Sequence, residues 1–96
     1  MAYDPGAIDA ALAAAVGDEP ALIAELRGAF VDSAERALAL MEQAPSREAW
    51  QEAAARLKGL AASFGAVRLM AMATQAGDRP GDAVLLAKLK RSVTRL

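Results

Sequence analysis

Apolar positions along the chain recur at intervals of three and four residues, the pattern of helices that each bury one face. Leu22, Leu26, Phe30, Ala34, Ala37, Leu38 and Met41 mark one such face of a long segment. Trp50, Ala53, Leu57, Leu60, Ala61 and Phe64 mark a second. Val67, Leu69, Met70 and Ala73 mark a third, and Val84, Leu85, Leu89 and Val93 a fourth. No strand alternation, internal repeat or low-complexity stretch intervenes. The breaks are equally legible. Asp4-Pro5 and Asp18-Glu19-Pro20 are helix starts, with Pro at the first helical position. Gly17 ends the first helix, Pro45 stops the second, and Gly65 breaks the third. Ser46 and Asp82 are N-caps. Helices are therefore predicted over about 5–15, 19–43, 47–63, 66–76 and 83–95. Short connections between amphipathic helices predict an all-α fold, an antiparallel four-helix bundle with a short extra N-terminal helix. Residues 1–96 are read as one domain, with Phe30, Leu57, Leu60 and Phe64 buried together.

Composition narrows the chemistry more than the fold. The chain has 96 residues and is 55% hydrophobic, enough for a core without disulfides. Eleven basic and twelve acidic residues leave a net charge of -1. Nucleic-acid binding relies on concentrated Lys and Arg, so no nucleic-acid partner is expected. There is no Cys and no His. That removes thiolate metal sites, the commonest metal ligand and the commonest general base. No metal, cofactor or catalytic constellation is predicted, and an enzyme is not expected. The apolar runs are too short to span a bilayer and the N-terminus lacks a secretory pattern. The expectation is a cytoplasmic protein with no membrane partner.

The segment 47–63 carries the functional signal. With Ala55 set at zero and about 100° per residue, its core stripe falls on the opposite side of the helix. Around Ala55 lie Glu48, Gln51, Glu52, Lys58, Gly59 and Ala62. Ala55, Gly59 and Ala62 form a strip of very small side chains edged by polar ones. A glycine inside a helix costs roughly 0.5–1 kcal/mol relative to Ala, and this chain uses Ala freely. Gly59 thus marks close approach of a partner, tight packing against a neighbouring helix, or simple drift. Trp50 is read as a core anchor, Met70 and Met72 as core filler, and Arg56 and Arg68 as solvated charges.

The run Ala55-Arg56-Leu57-Lys58-Gly59, followed by small residues, Gly65-Ala66 and then Leu69, resembles the signature of histidine-containing phosphotransfer (HPt) domains. Leu57, Lys58, Gly59, Gly65, Ala66 and Leu69 stand at matching positions, and Ala55 stands where the family carries its phosphoacceptor histidine. The resemblance extends over nearly the whole chain, although the stretch from Thr74 to Asp82 is shorter and more broken than is usual in the family. It implies a role in two-component phosphorelay, with Lys58 beside the phosphoryl group and Gly59 leaving room for the partner's active-site loop. A methyl group cannot replace imidazole as a nucleophile near neutral pH. Ser63 lies about 80° around the helix, and its phosphate ester would be too stable to pass on.

Three readings follow. The first is a monomeric module that docks on a response-regulator receiver domain or a histidine kinase without accepting phosphoryl. In it Ala55, Lys58, Gly59, Ala62, Gln51 and Glu52 form the docking face. The second is a phosphotransfer protein whose histidine has been replaced by Ala at position 55. The third is a structural or homodimerising bundle in which the small-residue strip packs on its twin.

Overall fold

A computed structural model describes residue 10, residues 12–14, residue 17 and residues 19–96. The predicted helix start at Asp4-Pro5 lies outside the described residues, as does Asp18. Ala10 and residues 12–14 are helical, and Leu12 is buried in the core. Gly17 follows with φ +83° and donates its N–H to the Ala13 carbonyl at 2.9 Å. This left-handed residue closes a helix end, as the sequence predicted. Four further helices are α1 (Pro20–Glu42), α2 (Arg47–Ser63), α3 (Val67–Gly77) and α4 (Ala83–Thr94). Among the described residues there is no strand.

The caps explain why these boundaries fall within a residue or two of expectation. Ser46 Oγ accepts the Ala49 N–H at 3.1 Å, and Asp82 Oδ1 accepts the Leu85 N–H at 3.0 Å. Each satisfies a donor that the first helical turn leaves without a partner. Glu19 begins α1 without a side-chain cap, and Pro20 supplies the start. Beyond the end of α2 comes Gly65, φ +71°. The Ala66 N–H reaches back to Ala61 O at 2.8 Å and the Gly65 N–H to Ala62 O at 3.3 Å. This double return turns the chain sharply into α3 and needs the left-handed backbone that glycine adopts freely.

Each helix packs on its neighbours in the chain, and α4 closes the ring against α1. The described core contains no buried polar or charged side chain. Phe30, Met41, Leu57, Leu69, Leu89 and Val93 are its largest fully buried members. Small residues fill much of the rest: Ala34, Ala37, Ala53, Ala54, Ala61 and Ala73 are all buried. The Lys90–Glu42 pair at 2.7 Å ties α4 to α1 on the exposed side, where such a pair contributes about 0–1 kcal/mol.

Two expectations about the core need correction. Leu60 and Phe64 are only half-buried, while Ala54, absent from the expected stripe, is 1% exposed. The buried face of α2 is therefore rotated toward α3. Helix α2 sits between α1 and α3, and Ala54 faces Gly77 at the end of α3. Phe64, at the C-terminal end of α2, covers Phe30 instead of joining the interior, with ring centroids 4.6 Å apart and planes tilted by 34°. Met70 and Met72 are half-buried against the core, as expected of adaptable filler.

Candidate functional site

The solvent face of α2 is displayed by fixing its two ends. Ser46 caps the start and the glycine turn at Gly65 locks the finish. Two side chains also clasp the helix to α3. Trp50 Nε1 donates to Ala76 O at 2.7 Å, and Gln51 Nε2 donates to Gly77 O at 3.3 Å. Both carbonyls belong to the last turn of α3, and Ala76 O also accepts the Arg79 N–H at 3.1 Å. Trp50 is thus a core anchor with a polar tip satisfied by its neighbour.

With the helix so held, Ala55, Lys58, Gly59, Ala62 and Glu52 are all exposed. Gln51 is exposed too, but its amide is engaged in the clasp at the α3 edge of the face. By helical phase Lys58 lies toward that same edge, and Glu52 and Arg56 toward α1. The strip of Ala55, Gly59 and Ala62 runs between them. A Cβ built on Gly59 meets nothing within 4 Å. Tight helix packing therefore does not account for this glycine. Gly28 in α1 is likewise exposed with open space around it, so Gly59 is not the sole helical glycine the fold leaves unexplained. Ser63 Oγ donates to Gly59 O at 3.0 Å and so is occupied within its own helix. Lys58 has no ion pair among the described residues.

Among the described residues no cluster of acidic side chains could hold a metal ion. What α2 offers is a flat, methyl-surfaced strip with a cation on one side and a carboxylate on the other. Beside it, between α1 and α2, runs a groove lined by Leu40, Leu60, Arg36 and Arg56. Sequence periodicity placed Leu60 in the core and gave Arg36 and Leu40 no role. The one available signal was that Leu60 and Leu40 lie at the margins of their apolar stripes.

The Hpt domain family model matches residues 25–96, about three quarters of the chain, and the chain belongs to that family. No curated protein and no solved structure matches it. Hpt domains are helical bundles that act as phosphotransfer carriers and interact with receiver domains and histidine kinases in phosphorelays. No described helix is long and apolar enough to cross a membrane.

Proposed function

We propose that the chain is a phosphorelay docking module that binds a receiver domain or histidine kinase through the solvent face of α2 without taking up phosphoryl. Ala55 occupies the acceptor position in this reading, and the chain holds no histidine that could serve instead. The observation that carries it is Gly59, an exposed helical glycine with open space at its Cβ, beside Ala55, Lys58 and Ala62. The fold gains nothing from the missing methyl group, whereas a partner approaching the helix closely would. In this reading residues 1–96 act as one domain, an antiparallel four-helix bundle with a short extra N-terminal helix, cytoplasmic and monomeric. The antiparallel course is supported by the hydrogen bonds from the start of α2 to the end of α3, and by Lys90 meeting Glu42 at the end of α1.

The test uses receiver and kinase domains purified from the source organism and titrated one at a time. Gly59→Gln is expected to weaken binding of the domain that docks by at least about tenfold, because a long side chain then stands in the contact. The same substitution should stabilise the fold by several tenths of a kcal/mol, Gln being the better helix former. Stability and affinity move in opposite directions, which general damage could not produce. Lys58→Glu should also weaken binding, and more so at low salt. If Gly59→Gln binds as well as the parent chain, or if no receiver or kinase domain binds at all, this reading fails.

A further inference from the structure

The packing of α1 against α2 leaves an open groove of about 430 Å³. Leu40, Leu60 and Ala37 supply its apolar lining, and Arg36, Arg56 and Ser33 its polar one. Leu40 is 50% exposed, one of only three large hydrophobic side chains so open among the described residues. The arginines come from opposite walls, Arg36 from α1 and Arg56 from α2. Arg36 Nη2 donates to Ser33 Oγ at 3.2 Å, which holds its guanidinium along the rim. Neither arginine has a carboxylate within salt-bridge distance among the described residues. No acidic side chain lines this groove. A smaller hollow of about 270 Å³ continues past Leu40 and Arg56, and there Glu52 is the one carboxylate.

We infer that this groove receives an amphipathic segment of the docking partner, an apolar side chain flanked by carboxylates, and that Arg36 and Arg56 select the partner. The inference rests on the docking reading above and adds the chemistry of the partner. An apolar side chain between Leu40 and Leu60 removes exposed hydrocarbon from water on both sides. Guanidinium groups on the two rims match carboxylates in a planar, paired geometry that a lysine could not offer. A partner with basic residues at those points meets like charge on both walls and is rejected, so the same two residues provide attraction and discrimination.

The experiment uses two synthetic helical peptides with one leucine pattern, flanked by glutamates in the first and lysines in the second. They are titrated into the full chain at low salt while the methyl signals of Leu40 and Leu60 are followed by NMR. The glutamate peptide should bind and shift both signals, and the lysine peptide should not. The double reversal Arg36→Glu with Arg56→Glu should weaken the glutamate peptide by at least about tenfold and admit the lysine peptide. Both arginines are exposed, so these variants keep the fold, which circular dichroism checks. Equal binding of the two peptides, no shift at either leucine, or indifference to the double reversal overturns the inference while leaving receiver docking untouched. Self-association of the chain that Leu40→Ser abolishes would make a second copy the occupant, and would overturn it as well.

Discussion

Ala55→His is expected to take up acid-labile phosphoryl from a phosphorylated receiver domain, under conditions where the parent chain takes up none. Residue 55 is exposed on α2, one turn from Lys58 and Gly59, so an imidazole there would stand in solvent beside a cation. An unperturbed imidazole has a pKa of about 6.5, which leaves a neutral nitrogen available near pH 7. Its lone pair would attack phosphorus while the bond to the aspartyl oxygen breaks, and the carboxylate would leave with the electron pair. The exposed Lys58 ammonium would offset the charge of the transferring group. Because the parent chain offers only a methyl group, the contrast is one of presence against absence. Radiolabel from a phosphorylated receiver, followed through acid treatment, reads it directly. Label on the parent chain would refute the assignment of Ala55 to the acceptor position. An unlabelled histidine variant that still binds the receiver would show that docking does not align the reacting atoms.

Phe30→Ala should cost about 3–5 kcal/mol, a large share of the stability of a domain this size. Phe30 is 1% exposed and fully enclosed, so the deletion leaves a cavity as well as lost burial. Total stability of a small domain is about 5–15 kcal/mol, and the expected fall in Tm is on the order of 20 °C. Phe64→Ala is the control. Its ring touches Phe30 at 4.6 Å but is itself half-buried, so water can refill part of the space. A smaller cost of about 1–3 kcal/mol is expected. Paired urea titrations measure both. A Phe64→Ala cost equal to or above that of Phe30→Ala would mean that the two rings have exchanged roles.

The difference between those two rings also measures how far the sequence can be read. Periodicity identified both phenylalanines as apolar face residues and could not rank them. A helical wheel gives direction around one helix but not the position of its neighbours. Ala54 faces the end of α3 and is enclosed, while Leu60 is left at the groove. The caps were legible because they act locally: Ser46, Gly65 and Asp82 each bond within a few residues of themselves. The face around Ala55 was legible because side chains opposite a core stripe must point to solvent. The groove was not, since it depends on where Arg36 and Leu40 from α1 meet Arg56 and Leu60 from α2. The role of Gln51 was hidden for the same reason: its partner is a carbonyl 26 residues away.

The bond from Trp50 to the end of α3 also gives the molecule an internal optical gauge. Trp50 is the single tryptophan in the chain, and the residue is 5% exposed. Indole emission shifts to longer wavelength when the ring meets water. Intrinsic fluorescence will therefore report separation of α2 from α3. By helical phase the ring lies about 140° around α2 from Ala55. A partner settling on the exposed face will leave the emission maximum unmoved. Loss of the bundle will shift it, so folding and docking can be followed separately in one unlabelled sample.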